Sequence, residues 1–236
     1  MRISLLAGAV LACTTLPFAA QAEFVGGRAG LSHSAFTGDS DRAKSSADVQ
    51  LEWAFGQSFS TQTDLGLSGL HALDDTALNF TTHLNWTFAN GGTAGLFYGW
   101  DKVVGTEDFY GLEYATMVGN THVDGYIAMI DEVGSNGTMA GVAGRMAMND
   151  RFGLGASVDY MKSNGVVDGT RIGLNGDYAM GEATKLTGEI GRVSADDTAG
   201  NRVSDTYLKL GVDFAFGQKP GVSFGKRSLF NILPGL

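Results

Sequence analysis

The chain is poor in several things that most exported domains and enzymes rely on. One of its 236 residues is cysteine, Cys13, which lies in an N-terminal stretch that reads as a removable leader. Once that leader is gone, the chain can form neither a disulfide framework nor a thiolate metal site. Prolines number 3 against 35 glycines, so many strands joined by glycine-rich turns are expected. Basic residues are scarce: 16 Lys and Arg against 25 Asp and Glu leave a net charge of -9 and a pI near 4.8. That balance excludes nucleic acid as a partner, because phosphate backbones demand basic surfaces. After the leader nothing approaches the apolar run of about 18 residues that a membrane helix needs, which excludes a helical span.

The leader runs from Met1 to Ala22. Arg2 supplies its charged start, Ile3 to Ala12 its apolar run, and Ala20-Gln21-Ala22 a small-x-small cleavage site before Glu23. A lipoprotein signal at Cys13 is the rival, disfavoured by its short leader and by Leu11 two residues before the cysteine. Export by the Sec route with removal of residues 1–22 is expected. About 214 residues then remain, enough for one sizeable domain.

What those residues do have is period-two alternation, repeated along the chain. Leu78, Phe80, Thr82, Leu84, Trp86 and Phe88 oppose Asn79, Thr81, His83, Asn85 and Thr87. Val49, Leu51, Trp53 and Phe55 oppose Gln50, Glu52 and Ala54 in the same way. Such segments are strands with one wet and one apolar face. Counting from a weakly patterned Phe24 to Phe36, about twelve are expected, with ten or fourteen as the neighbouring counts. Their links sort into two kinds. Gly56-Gln57, Asn90-Gly91-Gly92, Gly119-Asn120, Asn149-Asp150 and Gly181-Glu182 are tight turns. Between them lie mostly longer polar links, such as Gly38 to Ser46, Ser163 to Gly169 and Ser194 to Asn201. This alternation predicts an all-β, single antiparallel up-and-down transmembrane β-barrel with short periplasmic turns and longer extracellular loops. The competing architecture is a soluble β-sandwich cored by the aromatics, whose links would show no length bias.

With odd strands running outward, Trp53, Phe55, Phe59, Trp86, Phe88, Phe152, Tyr178, Phe214 and Phe216 collect at the periplasmic edge, and Tyr98, Trp100, Tyr110 and Tyr160 at the outer edge. These are the expected membrane girdles. The lumen receives Glu52, Asp64, His83, Glu113, Asp177, Glu189 and Lys209 as pore-lining candidates, with Asp64, Glu113, Glu189 and Lys209 near mid-height. Acid excess there favours cations, unless the same charges are salt bridges filling a closed core.

The last strand, Thr206 to Phe216, is the most regular: Leu208, Leu210, Val212, Phe214 and Phe216 take one face. It resembles the C-terminal assembly signal of bacterial outer-membrane barrels, in which a polar residue and a glycine two positions on precede alternate apolar residues: Lys209, Gly211, Phe214 and Phe216. Barrels of that type commonly end on the aromatic, whereas here Gly217 to Leu236 follows. A periplasmic tail over 217–236 is expected, with folding back into the lumen as the sharper alternative.

Over Phe24 to Phe216 the chain thus resembles a small Gram-negative outer-membrane barrel of porin style. The resemblance implies contact with outer-membrane lipid and lipopolysaccharide, assembly by the barrel-assembly machinery and passive diffusion of small hydrophilic solutes. The alternative is a non-conducting structural or adhesive barrel acting through its outer loops. Acidic residues such as Asp39, Asp41, Asp74, Asp75, Asp196 and Asp197 would meet lipopolysaccharide through divalent ions, although turn chemistry and solubility explain them more simply. An enzyme is not expected: no serine is placed to complete a pair with His83, and His122 and Asp124 lie beside a periplasmic turn. No histidine pair has metal spacing and no glycine run has nucleotide-binding context, so no cofactor is expected.

Overall fold

The computed structural model describes residues 22–132, 135–163, 167–197, 202–218 and 222–234. Of the expected leader, residues 1–21 lie outside the described residues, and its last residue, Ala22, opens the first strand. The strands are β1 (Ala22–Phe36), β2 (Ala43–Phe55), β3 (Phe59–Leu70), β4 (Asp75–Thr87), β5 (Thr93–Lys102), β6 (Thr106–Val118), β7 (Thr121–Glu132), β8 (Ser135–Ala147), β9 (Phe152–Ser163), β10 (Val167–Ala179), β11 (Thr184–Asp197) and β12 (Arg202–Gly217). One short helix, α1 (Leu229–Ile232), comes after them. Each strand pairs antiparallel with its sequence neighbours, and β12 returns to β1, so the sheet is a closed twelve-stranded barrel.

The seam forms where the pattern is weakest. β1 pairs with β12 from Gly26↔Gly217 to Phe36↔Tyr207, and a register shift between Phe24 and Gly26 in its ladder with β2 blurs the start of its alternation. Closure leaves no sheet edge, so the backbone groups of the ladder are satisfied without water.

Burial runs opposite to that of a soluble domain. Ile127 is 61% exposed, Leu174 63% and Leu210 72%, whereas the inward Gln50, Gln62, Asp64 and Thr81 are 0% exposed. An apolar exterior around a polar interior is what hydrocarbon requires of a barrel and what water would penalise. Among the described residues no helix is long and apolar enough to cross a membrane.

The links differ from the sequence expectation. β9 reaches Ser163 before β10 starts at Val167, and β11 reaches Asp197 before β12 starts at Arg202. Links at this end are therefore about as short as those at the other, where Thr87 and Thr93 bracket the β4–β5 link. Pairing continues through residues that are polar on both faces: Asp168 opposes Lys162, and Arg202 opposes Asp196 with two hydrogen bonds of 2.8 and 2.9 Å. Composition changes where strands leave the apolar belt, but the hydrogen-bond ladder does not. The two-residue link Gly119-Asn120 is as tight as expected and uses a positive φ of 65° at Gly119.

The outward aromatics gather near strand ends. Phe59 stacks on Trp86 at 5.8 Å, Trp86 meets Phe88 at 5.2 Å, and Phe24 lies between Trp53 and Phe216. Phe55 opposes Phe59, and Tyr178 opposes Phe152, at the same end. Toward the other end Tyr98 opposes Tyr110, Trp100 stacks on Phe80, and Tyr160 lies near the end of β9.

Candidate functional site

The inner wall is not uniform. From β2 to β7 it carries Glu52, Asp64, Asp101, Glu113 and Asp124, set among Gln50, Gln62, Asn79 and Thr81. His83 sits between two of the acids: Nδ1 lies 2.5 Å from Glu113 and Nε2 3.2 Å from Asp64, a geometry that a ring carrying hydrogen on both nitrogens satisfies. The β8 to β12 wall is built from neighbouring ion pairs. Arg171 reaches Asp159 at 2.5 Å on one side and Glu189 at 2.6 Å on the other, and Arg145 grips Asp177 with two bonds of 2.5 and 2.7 Å. Tyr207 completes that layer: its hydroxyl donates to Glu189 and accepts from Arg171, and its ring covers Gly191, where a Cβ would lie 2.5 Å from it.

The tail does not hang free of the barrel, as 217–236 was expected to. Val222 to Ser228 lies against the inward side chains of the β2 to β7 wall, where donors and acceptors of segment and wall match. Ser223 donates to Glu52 through both its N–H and its hydroxyl, each at 2.8 Å. Phe224 stacks on the His83 ring at 6.1 Å, and its carbonyl accepts from Gln50 and Gln62. Arg227 is 5% exposed; it bridges Glu113 and Asp124 at 2.9 Å each and lies 4.4 Å from the Tyr126 ring. Its carbonyl accepts from Asn79 and Thr81.

Ser228 caps α1 by accepting from the Phe230 N–H, and its hydroxyl and the Leu229 N–H both donate to Asp101. Beyond this point the segment turns apolar. Leu229 and Ile232 pack with Phe97, Phe109, Ala128, Ile130, Met139 and Met161 on the inner face. Lys44 donates to the carbonyls of Phe230 and Leu233, and Ser34 to that of Pro234.

The predicted pore-lining residues therefore divide. Glu52, Asp64, His83 and Glu113 are at most 5% exposed and lie under the tail. Asp177 is bridged to Arg145. Glu189 and Lys209 border the space that remains, a cavity of about 620 Å³ alongside the segment. Sequence reasoning missed the tail residues Ser223, Phe224, Arg227 and Ser228 as parts of the site. Among the described residues no group of three or more metal-ligating side chains is gathered.

No protein-family description matches the chain. No curated protein matches its sequence either. Likeness appears in three dimensions. The KdgM porin superposes with a TM-score of 0.59 at 11% identity, covering 80% of this chain and 99% of that one. The chain has the fold of outer-membrane porins. The NanC porin aligns with a TM-score of 0.59 at 9% identity over 80% of this chain and 100% of its own. The outer membrane channel COG4313 from Pseudomonas putida F1 gives a TM-score of 0.57 at 12% identity over 81% and 96%. At such identities the likeness is one of fold. The porin fold here carries an interior segment that shares the lumen with the remaining cavity.

Proposed function

We propose that the chain is an outer-membrane channel that passes small hydrophilic solutes or ions by diffusion. The observation that carries this reading is a polar cavity of about 620 Å³ inside a closed barrel with an apolar exterior. Twelve strands stand between the roughly eight that side chains fill and the sixteen or more that leave a wide aqueous pore. Under this reading the outward aromatics at the strand ends are the interfacial girdles. Lys209, Gly211, Phe214 and Phe216 address the chain to the barrel-assembly machinery after Sec export and leader removal, and the rim meets lipopolysaccharide. The wall acids, taken without the segment that covers them, would give the lumen a weak cation preference.

Purified full-length protein in planar bilayers is expected to show step-like conductance. A correctly folded barrel that never conducts sinks the proposal. The segment seated in the lumen favours one other reading, a non-conducting barrel that works through its rim. That reading predicts no steps and a surface-binding defect when the β9–β10 and β11–β12 links are replaced.

A further inference from the structure

We infer that the segment from Ser223 to Ile232 determines the selectivity of the passage, a role that rests on the channel reading above. Without the segment, Glu113 and Asp124 would present neighbouring acidic groups to anything crossing the lumen, with His83 alone beside Glu113. Arg227 occupies both with its guanidinium, and its position is held from a third side by the Tyr126 ring. The neighbouring Lys226 adds a cation beside the open cavity, with Nζ 3.8 Å from Asp48. Lys44 and Lys209 border the same cavity from the wall.

The segment thus does two things at once. It fills the acid-rich side of the lumen, so solutes are confined to the cavity beside it, which Asp48, Glu189, Lys209 and Asp213 border. It also sets the charges of Lys226 and Arg227 against the acidic wall, which offsets cation preference along the passage. The wall acids are therefore not the filter that their positions suggest; the filter is the segment laid over them.

Two full-length variants test this in planar bilayers under a salt gradient. Lys226→Gln with Arg227→Gln removes both charges while keeping polar side chains at the two positions, and should shift the reversal potential toward cations. Arg227→Glu with Ile232→Asp removes both the ionic and the apolar seat. It should raise the single-channel conductance several-fold and shift the reversal potential further the same way. Wild type and both variants conducting with equal step size and equal reversal potential overturns the inference, as does a shift toward anions. If no form conducts, wild type included, it is the channel reading that fails.

Discussion

The two halves of the lumen solve one electrostatic problem differently. Strands β2 to β7 contain no arginine, yet they turn Glu52, Asp64, Asp101, Glu113 and Asp124 inward. Apart from His83, the wall around these acids supplies mainly neutral donors, and their strongest counter-charge arrives with Arg227 from a segment more than 90 residues away in sequence. Strands β8 to β12 keep cation and carboxylate within two strands of each other, as in Arg145 with Asp177 and Arg171 with Asp159 and Glu189. One half is self-sufficient, and the other is complete only with a guest. A charge paired inside the ladder is locked to the barrel, whereas a charge paired to the guest can regain water if the guest leaves.

The largest expected effect comes from that lock. Arg171→Met strands Asp159 and Glu189 on strands that cannot separate, and should lower barrel stability by about 3–5 kcal/mol in urea unfolding from lipid vesicles. A loss no greater than that of Arg227→Met would erase the distinction between the halves. Next come the lipid faces, which should not distinguish them. Leu96→Arg on β5 and Leu174→Arg on β10 each put a guanidinium on the apolar exterior, at a cost of about 2–4 kcal/mol, and the two losses should agree. A large disagreement would mean that the asymmetry extends beyond the lumen.

Much of the barrel was legible in the chain, for a physical reason. Side chains of a strand alternate strictly, so one buried face writes itself as a period of two, and strands such as β4 and β12 repeat it without interruption. β5 has the bounds that its alternation predicts, Thr93–Lys102. Past the apolar belt both faces are wet and the alternation fades while pairing persists, which is why β10 and β11 extend into segments expected as loops. The inward facing of Glu52, Asp64, His83 and Glu113 could be read from the same parity. Their covering could not, because the segment over them has no periodicity: Phe224, Arg227, Leu229 and Ile232 are each placed by a different partner. One signal was present, namely an excess of inward acids, Asp48 among them, on six strands without arginine, beside a C-terminal stretch carrying Lys226 and Arg227.

The third expected effect falls on the guest. Arg227→Met takes the guanidinium from Asp124 and from Glu113, which keeps His83, but here the segment can lift away and the acids can hydrate. Urea unfolding of the barrel should change by less than about 1 kcal/mol, while trypsin should cleave after Lys226 much faster than in wild type. A variant with a weakened barrel and a protected Lys226 would show that the segment is a structural element of the barrel itself.

The smallest effect isolates one side chain of that seat. The Ser228 hydroxyl accepts from the Phe230 N–H at 3.1 Å and donates to Asp101 at 3.0 Å. In Ser228→Ala both bonds go, yet the Leu229 N–H still holds Asp101 at 2.6 Å, so the acid keeps a donor and the segment keeps its path. Loss of the cap should weaken seating by about 1 kcal/mol, read as about fivefold faster cleavage after Lys226. Ser228→Thr, which retains a capping oxygen, should return the rate close to wild type. If alanine and threonine accelerate cleavage equally, bulk and not the hydrogen bond sets the fit at this position. The polar complementarity between guest and wall would then end at Arg227, leaving α1 held in the lumen by its apolar contacts alone.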